Sequence, residues 1–258
     1  MMMQREPLSV VLITLDAASH LEACLLSAAF ADEILIVDSG SMDDTTALAE
    51  KYGARVIRQE WLGFGPQKQF AVAQAAHDWV LCLDADERVT AELRASIEAA
   101  LIAPAFGAYR FARCNRFLGR YLRHGEGYPD LNLRLFDRRR AGWTNDVVHE
   151  NVAAGCEVST LNGDLLHDSA ETVATYLSKQ NRYTTLAAEA AFLSGKRASG
   201  AKLLFSPVVR FIKFYGVRRG FLDGLPGLVH IVIGCFNSFI KYAKMIELQQ
   251  KQNEGNLP

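Results

Sequence analysis

Two carboxylates two residues apart, Asp84 and Asp86, follow the apolar run Trp79 to Leu83 in the stretch Asp84-Ala85-Asp86-Glu87. At a strand end, residues two apart point to the same side, so both side chains are expected to face one site. Adjacent like charges of this kind favour a cation. Hard oxygen ligands suit Mg²⁺ or Mn²⁺, which keep water or diphosphate oxygens in their remaining positions. The same residues could instead form a polar strand-to-helix turn in which Asp caps the next helix. A third acid, Asp38, closes another apolar run in Val37-Asp38-Ser39-Gly40-Ser41, with Asp43 and Asp44 beyond. An acid at such a position can accept hydrogen bonds from a base or ribose, and the small residues after it permit close backbone approach. A turn with a helix cap is the alternative here too. After the first apolar run stands Thr14-Leu15-Asp16-Ala17 rather than GxGxxG, and no GxxxxGK[ST] occurs, so nicotinamide and P-loop chemistry are disfavoured.

These acids need elements that bring them to one edge. Leu8 to Ile13, Ile34 to Val37, Ala54 to Ile57 and Trp79 to Leu83 read as strands. Leu21, Leu25 and Leu26, then Leu48, Ala49 and Tyr52, then Phe70, Ala71, Ala73 and Gln74 recur at helical spacing between them. Asp43 and Asp44 before Thr45 provide cap chemistry, and Gly53 stands where that helix should stop. The alternation predicts an α/β fold with a mainly parallel, Rossmann-like sheet covered by helices, whose ligands bind outside the carboxyl ends of the strands. Residues 105–170 turn irregular and basic, and are expected to close over that edge. A helix is expected after Glu171 through Tyr176, Gln180 and Tyr183 toward Phe192, with Gly195 and Gly200 marking its boundary.

The chain has 258 residues, 50% of them hydrophobic, enough for a substantial core. Its 28 basic and 29 acidic residues leave a net charge of -1, which offers no global field for a nucleic-acid backbone. The charge is unevenly spread: residues 1–100 carry seven basic against 16 acidic side chains, and residues 202–258 eight against three. Five widely separated cysteines without a CxxC indicate neither a disulfide framework nor a zinc ribbon, and fit a reducing cytoplasm. The run Leu8 to Ile13, closed by Asp16, is too short for the core of a signal peptide, so no export signal is expected.

Taken in order, several segments resemble the inverting, nucleotide-diphospho-sugar-dependent glycosyltransferases of family two, with the GT-A fold. They are Ser9 to Thr14, Glu33 to Ser41 with Asp43 and Asp44, Gln59-Glu60-Trp61-Leu62-Gly63-Phe64-Gly65-Pro66-Gln67-Lys68, and Asp78 through Glu87. Val148-His149-Glu150 and the tail segment Gly220-Phe221-Leu222-Asp223-Gly224-Leu225-Pro226-Gly227 extend the likeness over nearly the whole chain. It is most similar to bacterial enzymes that add glucose to the heptose of the lipopolysaccharide inner core. The resemblance implies a GT-A catalytic domain over residues 1–170, with a nucleotide-sugar half at 1–104 and an acceptor half at 105–170. It further implies that Asp38 contacts the uridine, that Lys68 lies near the base or phosphates, that Asp84 holds the ribose or a metal-bound water, and that Asp86 binds the divalent cation. Relatives often have Asn-Glu where this chain has Leu15-Asp16.

An inverting transfer needs a base to take the acceptor proton, for which Glu150 is the first choice. His149 would ligate the metal or bind phosphate, or exchange roles with Glu150. Arg134, before an apolar pair, could form a bidentate pair with a donor phosphate. The expected donor is a UDP-sugar, UDP-glucose first.

Residues 171–258 are expected to be a helical, basic and aromatic segment. Seven Lys and Arg side chains and one acid, Asp223, are interleaved with eight aromatic residues over 202–244, an interfacial signature suited to an anionic membrane surface. The apolar run Leu225 to Ile240 is 16 residues long and contains Pro226, His230 and Asn237, short of the roughly 20 needed to span a bilayer. Peripheral attachment to the inner face of the cytoplasmic membrane, beside a lipid-linked saccharide acceptor, follows as the expectation. A helical subdomain or a dimer interface is the alternative for this segment. Two other functions are alternatives: a sugar nucleotidyltransferase, disfavoured because no Gly-rich basic loop follows the first strand, and a non-catalytic, membrane-associated binding protein.

Overall fold

The computed structural model describes residues 5–144, 150–168 and 172–255. The chain alternates as expected through β1 (Leu8–Thr14), α1 (Ala18–Ala28), β2 (Glu33–Asp38), α2 (Thr45–Lys51), β3 (Arg55–Arg58), α3 (Phe64–Gln74) and β4 (Trp79–Asp84). A continuous apolar run makes β1 a strand buried on both faces, which is the signature of a central parallel strand. It pairs in parallel with β2 on one side and β4 on the other, and β3 adds beyond β2. The order β3-β2-β1-β4 therefore reverses direction at β1, and the crevice of such sheets opens at that reversal. Register decides what lies there: Thr14 of β1 is opposite Asp38, and Ile13 is opposite Asp84.

Past β4 come β5 (Glu87–Val89), α4 (Ala91–Ile102), β6 (Ala108–Phe117), β7 (Arg120–Tyr121), β8 (Asp130–Asp137), β9 (Ala141–Trp143), β10 (Val152–Ala154) and β11 (Val158–His167). Here the sheet becomes antiparallel. β8 pairs with β4 and β6, and β11 pairs with β5, which continues the order as β8-β6-β11-β5, while β9 and β10 form a separate ribbon. The result is the sheet with flanking helices that the GT-A resemblance implies, parallel in its N-terminal half and antiparallel beyond.

Side chains alternate across this sheet into two cores. Leu8, Val10 and Leu12 of β1 with Leu81 and Leu83 of β4 meet α1 and α4. Val11, Val80 and Cys82 meet Ala71 and Val72 of α3 and Trp143 of β9. By the same alternation Asp84 emerges on the side of α3.

The described chain groups into two compact units. One runs to Cys114 and resumes over Pro129–Asp168; the other takes Asn115–Tyr128 and the residues after the strands. The second unit holds α5 (Val173–Leu193), α6 (Gly200–Phe211) and α7 (Gly224–Asn253). Thr172 and Ser199 cap α5 and α6 through their hydroxyls, which accept from the Thr175 and Lys202 N–H groups. The Asp223 carboxylate, buried before α7, accepts from the N–H groups of Arg123 and His124 at 3.1 and 2.8 Å, so the Gly220 to Gly227 motif serves as a joint inside this unit. The helix is longer than the apolar run in the sequence, because His230 pairs with Tyr176 of α5 at 3.0 Å and Asn237 with Gln180 at 2.8 Å. The stretch Gly220–Asn253 is long and apolar enough to cross a membrane, which removes the shortness argument against spanning.

Candidate active site

Asp38 ends β2 almost fully buried, with both carboxylate oxygens in use. It accepts from the Thr14 hydroxyl at 2.9 Å, from the N–H groups of Gly40 and Ser41 at 2.9 and 2.8 Å, and from the Ser41 hydroxyl. Burial acts to raise its pKa, but the bonds from Ser41, Gly40 and Thr14 outweigh it and hold the carboxyl below the usual range. Asp38 thus folds the turn in which Gly40 takes a positive φ of 103°. Asp16, itself at φ 49°, accepts from the Met42 N–H at 2.8 Å and donates its own N–H to the Ser41 hydroxyl at 2.9 Å, clamping the β1 and β2 loops together. Asp43, rather than the adjacent Asp44, provides the side-chain bond at the start of α2, accepting from the Thr45 N–H at 3.0 Å, and it also accepts from the Ala18 N–H at the start of α1 at 3.1 Å.

Asp84 is held by two cations from different elements. Lys68, on α3 and mostly buried, places Nζ 3.1 Å from Oδ1, and Arg134 of β8 places Nη2 3.0 Å from Oδ2. Both cations stack over the Trp143 ring, at 4.7 Å for Lys68 and 5.6 Å for Arg134. The Trp143 indole in turn donates to the Cys82 sulfur at 3.3 Å, and burial pushes that thiol up to about 11, which marks it as a packing residue rather than a nucleophile. Burial would raise the Asp84 pKa, yet Arg134 and Lys68 hold it far below the ordinary carboxylate value.

Arg134 also bonds Glu87 at 3.2 Å, and Glu87 accepts from the Asp84 N–H at 2.9 Å. Glu87 is wholly buried, and burial pushes its carboxyl up against the opposing pull of Arg134. The other guanidinium nitrogen of Arg134, Nη1, is buried without a hydrogen-bond partner among the described residues.

Asp86 goes a different way. The strand stops at Asp84, a turn intervenes, and the alternation that would align the two carboxylates does not extend across it. Asp86 Oδ2 lies 3.2 Å from Nε2 of His167, the last residue of β11, and the Asp86 carbonyl accepts from the Asp168 N–H at 2.9 Å. The sequence reading missed His167. Its signal was the one used for the acids: a polar side chain closing an apolar pair, Leu165-Leu166, at a strand end. Glu87, to which the sequence pattern assigns no role, is likewise part of the network. Among the described residues no three carboxylate, imidazole or thiolate groups gather as a metal site, so Asp86 and His167 are two donors rather than a closed cage. One oxygen and one nitrogen could hold an open Mg²⁺ or Mn²⁺ position whose other ligands would be water and phosphate.

A cavity of about 570 Å³ opens beside this network, within the usual range for small-molecule sites. Lys68, Asp84, Arg134, Trp143 and Glu150 line it, with Arg110 and Arg113 from β6. Glu150 is brought close to α3 by Gly65, where a Cβ would lie 2.3 Å from the Thr144 carbonyl oxygen and 3.4 Å from Glu150 Cβ. Asp38, Lys68, Asp84, Asp86, Arg134 and Glu150 therefore all belong to the first unit, and Lys68, Asp84, Arg134 and Glu150 share one cavity. His149, expected to be catalytic or metal-ligating, lies outside the described residues.

The chain is 32% identical to the lipopolysaccharide core biosynthesis glycosyltransferase LpsC of Rhizobium meliloti, over 95% of this chain and 94% of that one. An uncharacterized glycosyltransferase of Rickettsia typhi is also 32% identical, over 85% of this chain and 80% of its own length. Among solved structures, S. aureus TarS residues 1–349 in complex with UDP-GlcNAc is similar with a TM-score of 0.48 and 15% identity, over 96% of this chain and 92% of that one. Residues 9–155, which span every described site residue except His167, match the family described as Glycosyl transferase family 2. With that match and the full-length relatives, the chain belongs to glycosyl transferase family 2.

Proposed function

We propose that this glycosyltransferase moves a hexose, glucose first, from a UDP-sugar with inversion onto a lipopolysaccharide inner-core heptose or a similar lipid-linked saccharide. The observation that carries this reading is the shared cavity, in which Glu150 faces the same space as Asp84 and its two cations. A donor diphosphate is doubly anionic, and Lys68, Arg110, Arg113 and Arg134 together bring more positive charge to the cavity than Asp84 and Glu150 offset. Arg134 lines the cavity and is the proposed contact to a donor phosphate. The Asp38 turn would receive the uridine by its backbone and small side chains. Asp84, already compensated by two cations, suits the ribose better than direct metal ligation.

Asp86 and His167 would hold a Mg²⁺ or Mn²⁺ ion, which when bound acts as a Lewis acid that takes up charge on the departing diphosphate. Glu150 removes the proton of the acceptor hydroxyl as its oxygen attacks the anomeric carbon opposite the leaving UDP. His149, adjacent in sequence, is proposed to assist at the metal or the acceptor. Residues 1–170 are the proposed catalytic domain, and 171–258 the part that keeps the enzyme on the inner face of the cytoplasmic membrane, where a lipid-linked acceptor is presented.

Calorimetric titration with UDP, with and without Mn²⁺ and with CDP as control, tests the donor site. Metal-dependent preference for UDP is expected. Absence of UDP binding under any metal condition would overturn the transferase assignment of this site in favour of a non-catalytic binding protein.

A further inference from the structure

A helix of a water-soluble domain turns its apolar stripe toward the core and its polar side to solvent. In α6 the order is reversed. Ser206 faces α7, with its hydroxyl 2.7 Å from the Ser238 hydroxyl, and Arg210 faces inward onto Glu126 with Nε at 3.1 Å. On the opposite side Leu204, Val208 and Ile212 follow one another at four-residue spacing, and Phe205 and Val209 run alongside, forming one continuous stripe. These five side chains are 53 to 66% exposed, and no residue of α6 is fully buried. Directed away from α7, this apolar face stays exposed among the described residues.

Charge identifies what covers it. Between Gly200 and Leu222 there is no acidic residue, while Lys202, Lys213, Arg218 and Arg219 are all exposed. Lys202 and Lys213 lie at the two ends of the stripe, where long cationic side chains can reach headgroups while the apolar face sits among acyl chains. Beyond the stripe, Val217 and Leu225 are also exposed, at 76 and 70%. From Gly200 the helix continues as a π-helical segment to Val217, and with Pro207, Arg210 and Lys213 inside it this stretch falls short of the roughly 20 apolar residues that span a bilayer.

We infer that α6, with the helical turn that continues it from Ile212, is an in-plane anchor: the face of Leu204, Phe205, Val208, Val209 and Ile212 enters the interface of an anionic bilayer, and Lys202, Lys213, Arg218 and Arg219 bind the headgroups. This deepens the membrane part of the proposed function, names the element responsible, and is independent of the transfer chemistry.

The test is flotation of the full-length protein with vesicles of phosphatidylcholine containing phosphatidylglycerol, against phosphatidylcholine alone. Wild-type protein is expected to float with the anionic vesicles and to detach as salt rises from about 0.1 to 1 M, where the Debye length shrinks from about 10 to 3 Å. Val208→Asp with Ile212→Asp is expected to lower the bound fraction about tenfold or more. Lys213→Gln with Arg218→Gln should abolish the preference for anionic lipid. Both variants alter exposed positions, and thermal melting by circular dichroism verifies that they stay folded. Wild-type protein that remains soluble with anionic vesicles overturns both the anchor and the membrane reading. Flotation that survives the Val208→Asp, Ile212→Asp change overturns the α6 anchor alone and leaves the membrane reading in place. A wild-type dimer that the same change dissociates, without flotation, would make the stripe an interface between copies and overturn the inference.

Discussion

Glu150 shares its cavity with the Asp84–Lys68–Arg134 network, and this shared space separates a base from a donor ligand experimentally. Glu150→Gln is expected to lower turnover by about 10²- to 10⁴-fold, the worth of a general base, with donor affinity nearly intact. Loss of UDP binding in that variant would instead make Glu150 a donor ligand. At Asp86 the expected outcome is different. Asp86→Asn should abolish metal-stimulated transfer, and His167→Ala should weaken Mn²⁺ activation in parallel; near-normal metal dependence in either would remove that residue from the cation site. Asp38 carries a pH signature. Its carboxyl is held low in the fold by Ser41, Gly40 and Thr14, so its contribution is present when the group is ionised in both states, above about pH 4, and is lost as pH falls through the lowered value. Asp38→Asn should therefore destabilise the protein at neutral pH, with the difference from wild type narrowing on acidification in urea unfolding experiments. The acids were legible as residues, because each closes an apolar run. Their partners were not: Lys68 and Arg134 reach Asp84 from 16 and 50 positions away, and no local pattern encodes that meeting.

Elements carry the next layer of constraint. In α3, glycine at position 65 would ordinarily be a weakness, since alanine stabilises a helix by roughly 0.5–1 kcal/mol relative to glycine. Here an added Cβ would lie 2.3 Å from the Thr144 oxygen. Gly65→Ala is accordingly expected to lower both the melting temperature and turnover, by pushing α3 away from the segment that carries Glu150; a stabilised and fully active variant would show that this contact yields easily. The first four strands and three helices follow the hydrophobic periods of the sequence closely, because each is a local run of one period. Strand alternation does not reach Asp86, because the strand ends at Asp84 and a turn follows, and Asp86 pairs with His167 at the end of β11. The length of α7 was also hidden: His230 and Asn237 interrupt its apolar run, but Tyr176 and Gln180 on α5 satisfy them inside the second unit.

At the scale of the molecule, ligand binding and stability are linked. UDP with Mn²⁺ at a hundredfold excess over Kd should stabilise the unit that holds the site by about 2.7 kcal/mol, a rise of about 5–10 °C in its melting temperature. Calorimetric scans in which UDP and Mn²⁺ together shift neither transition would contradict a donor site in the first unit. The sequence by itself determined the α/β alternation, the acidic strand ends, the switch from an acidic N-terminal part to a basic tail and the membership of family two, since all of these are carried by residue order and local period. Only the tertiary structure decided that Asp84 is neutralised by Lys68 and Arg134, that His167 pairs with Asp86, and that the apolar stripe of α6 faces outward. Those facts depend on strand register and on which face of a helix meets its neighbour, and both are set by packing between segments distant in the chain.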